Sequence, residues 1–473
     1  MNFKRLNTQI ENMFNSNNID QDFLNIQLRN DIADKLLDYQ LFHVHNMVNC
    51  LLKNNTVIDG SSTGTGKTYT TLAICKQMKL SPLIICPKSI INVWYTICKY
   101  FDIQPIDIIN YEAIRSCKTY DKNKKPIDSP YLTEVDGAYV WSELLPRNTV
   151  LIYDEAHKCK NNKSLNAKLL MSSKDKFKIM MLSATLSDTP ENFNVFGYML
   201  NFYPSIKKAL GWINGMLRDD KNNFGKSKKT SALVNQLYPN KGSRMRIDEL
   251  GDKFPKNQIS ADCYNLSPAE ELNANKMLDI IKGSDTIKIK KSNEDSDDDN
   301  TKMVLVKIVS ARMKLELYKI PIIVELAEKY LESNYSVVIF VNYLDTLEEL
   351  SKLLLTKCIV KGTQSADERE IHIQSFQKNK SRIIICMMQA GGQSISLHDI
   401  HGKYPRVSII SPSYSSIDLV QSLGRICRAE TKSPVLQRIV FCANTCEEII
   451  CNRIKEKLKF FTKLTDEDLI TFT

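Results

Sequence analysis

Short apolar runs rich in β-branched residues recur along this chain, separated by longer stretches of helical periodicity. The first set is TVID (56–59), PLIICP (82–87), IDIIN (106–110), TVLIYDE (149–155) and KIMMLS (178–183). The second set is YSVVIFVN (335–342), KCIVKG (357–362), RIIICMM (382–388), RVSIIS (406–411) and QRIVFCA (437–443). Buried parallel strands carry such runs because helices cover both faces of their sheet. We therefore predict an α/β fold with two doubly wound parallel-sheet lobes.

The spacing of the runs also predicts how the 473 residues are divided. Residues 205–330 lack the strand pattern, which predicts a mainly helical insertion. This insertion contains an acidic tract at 291–300, where the concentrated like charge favours a surface loop. The predicted regions are an N-terminal extension (1–30), a first lobe (31–204), the insertion and a second lobe (331–473).

Composition narrows the class of protein. The apolar share of 43% and the charged share of 25% are typical of globular proteins. No apolar run approaches the roughly 18 residues that a membrane span needs, and the first thirty residues lack the apolar core of a secretion signal. A location inside a cell, without a membrane partner, is therefore expected. The net charge of +10 favours a polyanionic partner.

Residues 60–68, GSSTGTGKT, lie between the predicted strand TVID and a helical stretch, TYTTLAICKQM. The strict phosphate-loop pattern has a glycine where Ser61 stands, but a small residue can serve at that position. In this context backbone amides can cradle phosphates, Lys67 can reach the β and γ groups, and the Thr68 hydroxyl can hold Mg²⁺. The alternative is a glycine-rich helix start with an incidental lysine. The predicted nucleotide-binding residues are Ser61, Ser62, Thr63, Gly64, Thr65, Gly66, Lys67 and Thr68.

The segment VLIYDEAHK (150–158) is an apolar strand that ends in two acids. In doubly wound folds ligands collect at the carboxyl edge of the sheet, which would place these acids beside the phosphate loop. Asp154 would bind Mg²⁺, and Glu155 would orient and deprotonate the attacking water. The segment alone could be a charged helix start. The two motifs together predict ATP hydrolysis.

The ordered set of motifs, from about residue 30 to about residue 455, resembles a superfamily 2 helicase or translocase ATPase of the Swi/Snf-like branch. The resemblance implies two RecA-like lobes. It also implies that Gln40, in LLDYQ, contacts adenine. The other matching segments are CPKSIINVW (86–94), INYEAI (109–114), LSATLSD (182–188), AGGQSISLHDI (390–400) and QSLGRICRAE (421–430).

LSATLSD resembles the motif that couples the two lobes, carried here by Ser183, Ala184 and Thr185. The hydroxyls of Ser183 and Thr185 could bond Asp154 and His157. A simple turn is the alternative.

Gln421, Arg425 and Arg428 follow one another at spacings of four and three residues, which predicts one face of a helix. Guanidinium groups on that face could point across a cleft and neutralise transition-state charge on the γ-phosphate. The alternative is a solvated basic helix face.

Candidate nucleic-acid contacts follow from the resemblance. Lys88 lies at a strand exit, and Gly391 and Gly392 would allow a phosphate strand to approach the backbone closely. A simple turn is the alternative for the two glycines. Trp94 could stack on a base, but its helical spacing with apolar neighbours favours core packing. Five histidines form no metal-ligand pattern with carboxylates and are interpreted as surface or structural residues: His43, His45, His372, His398 and His401.

The sequence departs from the Swi/Snf-like pattern at Ala184, at Cys427 and at AET (429–431), where that pattern has a glycine-glutamine pair. Remodelling ATPases have glycine at the position of Ala184 and histidine at that of Cys427, which argues against chromatin remodelling itself. The compact layout resembles helicase-like ATPases of large cytoplasmic DNA viruses, which implies a location in the cytoplasm, nucleus, viral factory or virion.

The predicted function is that of an ATP- and Mg²⁺-dependent helicase or translocase, with DNA favoured over RNA by the Swi/Snf-like motifs. One alternative is an ATP-dependent nucleic-acid-binding switch or assembly factor, such as a transcription-termination factor, that does not separate strands. Another is a phosphate-loop ATPase acting on proteins.

Overall fold

The computed structural model describes residues 26–123, 125–184, 193–215, 236–250, 254–274, 276, 298–391, 395–413, 415–443, 445 and 447. The chain divides into two compact units, Met1–Leu250 and Gly251–Thr473. Each unit is built around a six-stranded sheet in which every strand pair is parallel. The predicted fold class, two parallel-sheet α/β lobes, is confirmed.

The described part of unit 1 contains ten strands and a set of helices around them. The strands are β1 (Thr56–Asp59), β2 (Ser81–Cys86), β3 (Asp107–Asn110), β4 (Lys118–Tyr120), β5 (Pro126–Asp128), β6 (Leu132–Val135), β7 (Ala138–Trp141), β8 (Thr149–Asp154), β9 (Lys178–Leu182) and β10 (Gly242–Ser243). The helices are α1 (Asn30–Ala33), α2 (Asp38–Lys53), α3 (Lys67–Met78), α4 (Ile91–Tyr100), α5 (Tyr111–Ile114), α6 (Leu165–Ser172), α7 (Asn194–Met199) and α8 (Ile247–Leu250). The large sheet has the order β10-β1-β9-β8-β2-β3. The pairs β4–β5 and β6–β7 are antiparallel hairpins that the sequence did not predict.

The strand β8 shows why the runs of this sheet are apolar throughout. Leu151 and Tyr153 pack into the core on one face of the sheet, whereas Val150 and Ile152 pack into the core on the other. All four side chains are fully buried. Helices cover both faces, so every position of the strand needs an apolar residue.

Unit 2 repeats this architecture. Its strands are β11 (Asn257–Tyr264), β12 (Ser336–Val341), β13 (Ile359–Val360), β14 (Ile383–Met387), β15 (Arg406–Ile410) and β16 (Val435–Cys442). Its helices are α9 (Asp298–Tyr318), α10 (Ile320–Glu332), α11 (Leu344–Leu353), α12 (Ala366–Gln377), α13 (Met388–Gly391) and α14 (Ser416–Leu423). The sheet has the order β11-β16-β15-β12-β14-β13.

The region predicted as a helical insertion, 205–330, contains two strands that the sequence did not predict. The strand β10 extends the sheet of unit 1 beside β1, and β11 extends the sheet of unit 2 beside β16. The acidic tract, predicted as a loop, contributes residues 298–300 to the start of α9, and its residues 291–297 lie outside the described part of the chain. In the described ranges, no helix is long and apolar enough to cross a membrane.

The strand order of unit 1 places three sequence motifs at one edge of its sheet. The strands β1, β9 and β8 are neighbours and run parallel, so their carboxyl ends lie side by side. The loop 60–68 follows β1, Ser183 follows β9, and Glu155 follows β8. This edge is where doubly wound sheets bind their ligands.

Candidate active site

The phosphate loop begins after β1 and ends where α3 starts. Gly64 and Gly66 have φ values of 80° and 93°, in the left-handed region that glycine adopts without a steric penalty. The Lys67 ammonium folds back over the loop and donates hydrogen bonds to the carbonyl oxygens of Ser61 at 2.9 Å and Ser62 at 3.2 Å. The helix N-terminus and a lysine cation therefore face the same small volume, as phosphate binding requires.

Ser61 has a specific role at the position where the strict pattern has glycine. Its side chain is fully buried, and its Oγ accepts a hydrogen bond from the Met245 backbone N–H at 2.9 Å. The Ser62 N–H donates to the Met245 carbonyl oxygen, also at 2.9 Å. Ser61 thus ties the start of the loop to the segment that follows β10, which a glycine could not do through a side chain.

We expect Ser61→Ala to lower both the stability of unit 1 and its affinity for nucleotide. The substitution leaves the buried Met245 N–H without its acceptor, at a cost of about 1–3 kcal/mol. The matched control is Ser62→Ala, because the described contacts of Ser62 run through backbone atoms. Thermal unfolding and titration with a fluorescent ADP measure both effects. Equal behaviour of the two variants would show that the Ser61 hydroxyl is dispensable.

Gln40 supports the loop from α2. Its side-chain amide donates to the Thr65 carbonyl oxygen at 2.9 Å and accepts from the Leu37 N–H at 2.9 Å. A Cβ atom on Gly66 would collide with this amide, so the close approach requires glycine. The structure therefore places Gln40 against the phosphate loop. Its contact with adenine stays a prediction.

A buried pair of His43 and Asp59 lies beneath the loop and was missed by the sequence interpretation. The His43 Nε2 and Asp59 Oδ2 atoms are 3.1 Å apart, and Asp59 Oδ1 accepts the Ser61 N–H at 2.9 Å. Burial raises the pKa of Asp59, but the charges of His43 and Lys67 and the hydrogen bonds outweigh it and lower that pKa. The signal was present in the sequence, since Asp59 ends a strand just as Asp154 does.

Asp154 ends β8 and is held on both carboxylate oxygens. Oδ1 accepts the Glu155 backbone N–H and Oδ2 accepts the Trp94 indole N–H, each at 2.9 Å. Burial raises the pKa of Asp154 to about 7, with a further contribution from Glu155, while the Lys67 charge opposes the rise. Trp94 is fully buried, as its apolar spacing predicted.

Glu155 belongs to a short polar cluster with His157 and Ser183. Its backbone lies in the left-handed region at φ 53°, a conformation that costs a non-glycine residue on the order of 1 kcal/mol or more and that recurs at functional sites. The Glu155 Oε2 and His157 Nδ1 atoms are 3.2 Å apart, and His157 Nδ1 is also 3.2 Å from Ser183 Oγ. The expected contact between Ser183 and His157 is present. Thr185 lies outside the described residues.

The residues at this edge fit a magnesium ion that accompanies a nucleotide. Thr68 is partly exposed at the start of α3, and each Asp154 oxygen accepts one hydrogen bond, which leaves lone pairs available. In the part of the chain that the structure describes, no group of three or more His, Cys, Asp or Glu side chains could hold a metal ion alone. Mg²⁺ commonly takes one or two protein ligands and completes its shell with phosphate oxygens and water.

In unit 2, the predicted single helix carrying Gln421, Arg425 and Arg428 is wrong. The helix α14 ends at Leu423, and Gly424 follows it, because glycine is a poor helix former and a common helix terminator. Both arginines lie beyond the helix, Arg425 in a turn and Arg428 in the loop that follows the turn. Their guanidinium groups nevertheless converge, since Arg425 Nη1 and Arg428 Nη2 donate to one carbonyl oxygen at 3.3 and 2.9 Å.

The environment of these arginines also differs from a solvated helix face. Arg425 is 4% exposed, and the shared acceptor is the carbonyl of Ile395. Burial lowers the pKa of Arg428 to about 9, and the neighbouring Arg425 charge contributes. Two cations are therefore held side by side on one carbonyl oxygen, an arrangement suited to an anion.

The candidate nucleic-acid contacts lie at the carboxyl ends of strands. Lys88 follows β2 and is exposed in a short 3₁₀ helix, Lys88–Ile90. Gly391 ends α13, directly after β14, and Gly392 lies outside the described residues. Their roles stay predictions.

Comparisons with known proteins cover both units. Residues 33–188 match the family described as "Type III restriction enzyme, res subunit", and residues 319–430 match the "Helicase conserved C-terminal domain". A protein of Acanthamoeba polyphaga mimivirus named "Putative ATP-dependent RNA helicase" is 35% identical over 474 residues, which span 94% of this chain and 87% of that protein. The solved SWI2/SNF2 ATPase core of Sulfolobus solfataricus in complex with dsDNA is 18% identical, with a TM-score of 0.37, over 94% of this chain and 96% of its own.

Proposed function

This chain belongs to the superfamily 2 helicases, and we propose that it couples ATP hydrolysis to movement along DNA as a Swi/Snf-like translocase. The observation that carries the proposal is the shared edge of β1, β9 and β8. There the Lys67 ammonium lies on the loop carbonyls of Ser61 and Ser62, and Glu155 and Ser183 both contact His157 Nδ1. A phosphate-binding loop and a candidate general base therefore belong to one site.

The proposed roles follow from this geometry. Backbone amides of the loop 60–68 would bind the phosphates, and Lys67 would leave its loop carbonyls for the β and γ groups. Thr68 and Asp154 would hold Mg²⁺, which when bound neutralises phosphate charge. Glu155 would orient a water molecule and accept its proton, and His157 would hold the Glu155 carboxylate in place.

A nucleic-acid substrate is proposed because the net charge of +10 favours a polyanion, and DNA is proposed because the motif content is Swi/Snf-like. RNA is the second candidate, favoured by the name of the mimivirus relative. That relative also supports the proposed similarity to helicase-like ATPases of large cytoplasmic DNA viruses. An ATP-dependent switch that binds nucleic acid without moving along it remains the functional alternative.

We expect ATP hydrolysis to be stimulated most by DNA when single-stranded DNA, duplex DNA, single-stranded RNA and duplex RNA are compared.

Lys67→Ala should abolish hydrolysis with every nucleic acid, because the phosphates lose their cation. The matched control is Lys76→Ala on the same helix, whose ammonium pairs with Asp102 on the surface at 3.3 Å. It should hydrolyse ATP like the wild type.

The outcomes separate the candidates. Stimulation by RNA alone would replace DNA with RNA as the substrate, and a lack of stimulation by all four would remove the motor function. Displacement of a bound streptavidin block from the stimulating nucleic acid distinguishes translocation from a static switch.

The affinity of the protein for nucleic acid should weaken steeply with rising salt concentration, because phosphate contacts release counterions.

A further inference from the structure

Trp94 makes a polar contact that core packing alone does not explain. It lies on α4, and its side chain is among the largest that are fully buried in the described structure. Its indole N–H, the only hydrogen-bond donor of the side chain, lies 2.9 Å from Asp154 Oδ2. The two residues are 60 positions apart in the sequence, so the contact is a product of the fold.

This contact fixes the plane of the Asp154 carboxylate. The backbone N–H of Glu155 holds Oδ1 and the indole holds Oδ2, so rotation of the carboxylate would break one bond or both. The backbone donor is available with any side chain at position 155. The orientation of the second oxygen therefore depends on the residue at position 94.

We propose that Trp94 is a positioning residue, whose indole N–H presents the Asp154 carboxylate to the metal ion of a bound nucleotide. This inference rests on the proposed function, in which Asp154 holds Mg²⁺. Hydrogen-bond partners of metal ligands orient those ligands, and their loss typically lowers metal affinity on the order of 10–100-fold. Trp94 would act through Asp154 and would itself touch neither nucleotide nor metal.

The test measures metal binding directly. Mn²⁺ is titrated into the full chain saturated with the non-hydrolysable analogue AMP-PNP, and bound Mn²⁺ is followed by electron paramagnetic resonance. Trp94→Phe should raise the half-saturating Mn²⁺ concentration on the order of 10–100-fold, whereas its affinity for AMP-PNP in EDTA should equal that of the wild type. A purely structural role would weaken nucleotide binding equally with and without metal.

Trp141→Phe is the matched control. Trp141 is 6% exposed in unit 1, and its indole N–H also donates to a side-chain oxygen, Ser172 Oγ, at 2.9 Å. Trp141→Phe removes an indole N–H that does not contact the Asp154 carboxylate, so the affinity for Mn²⁺ should not change. If Trp94→Phe and Trp141→Phe bind Mn²⁺ equally well, the inference is wrong.

A second variant separates the hydrogen bond from the packing. Benzothienylalanine at position 94 keeps the bicyclic shape and replaces the N–H with sulfur, so it remains informative if phenylalanine leaves the core too loose to fold. It should weaken Mn²⁺ binding as Trp94→Phe does, and wild-type affinity in this variant would overturn the inference. A wild-type chain that binds no AMP-PNP would instead contradict the proposed function.

Discussion

Glu155→Gln is expected to leave ATP bound while its turnover falls by about 10²–10⁴-fold, the usual contribution of a general base. The amide keeps the size of the side chain and can still contact His157, but it cannot accept a proton from water. The left-handed backbone at Glu155 is unchanged by the substitution, so the loop geometry should persist. Nucleotide binding and single-turnover hydrolysis separate the two effects.

The control for this experiment is Glu134→Gln, which removes an exposed carboxylate of the same unit from the hairpin strand β6. It should hydrolyse ATP like the wild type. If Glu155→Gln retains turnover, another group must activate the water. The role assigned to Glu155 as the general base, held in place by His157, would then be wrong.

Arg425→Ala is expected to bind ATP nearly normally and to lose nucleic-acid-stimulated turnover on the order of 10³–10⁵-fold, the effect of removing an arginine finger. Arg425→Lys should recover little, because an ammonium lacks the planar fork that matches phosphate oxygens. Arg425 belongs to unit 2 and the phosphate loop to unit 1. The experiment therefore tests whether both units act on one nucleotide.

Because Arg425 is buried and bonds the Ile395 carbonyl, its loss could also weaken unit 2 itself. Arg382→Ala is the matched control, since Arg382 donates to the backbone carbonyls of Leu331 and Tyr335 at 3.0 and 2.6 Å. The proposed role is supported if the Arg425 and Arg382 variants unfold at similar temperatures and only the Arg425 variant loses the stimulation of ATP turnover by nucleic acid. Wild-type stimulation in Arg425→Ala would contradict it.

Local sequence patterns predicted the features that are themselves local. The strand runs, the loop 60–68 and the acids ending β8 were recognised because each is a short stretch with a fixed spacing or periodicity. The strand β10 has two residues and so carries no periodicity, and the edge strand β11 is only half-buried and lacks a continuous apolar run. Neither could be found in this way.

The contacts that complete the site join residues far apart in the chain. Ser61 and Met245 are 184 positions apart, and Trp94 and Asp154 are 60 apart. No spacing rule connects such pairs, because the sheet topology creates them. The two arginines of unit 2 fall between these cases, since their spacing suggested a helix but Gly424 ends it one residue before Arg425.

The hydrogen bond between Ser61 and Met245 can form only late in the synthesis of unit 1. At about 5–20 residues per second, the 184 residues between them take roughly 10–40 s to synthesise. All the nucleotide motifs of unit 1 have been synthesised well before that interval ends, yet β10 and Met245 are not available to pair with β1 and the loop. A nascent chain that has reached only residue 204 therefore contains the phosphate loop but not Met245, whose backbone N–H binds the buried Ser61 hydroxyl. The long-range pairing of β10 with β1 is the step that completes the loop, and such non-local pairing is slow.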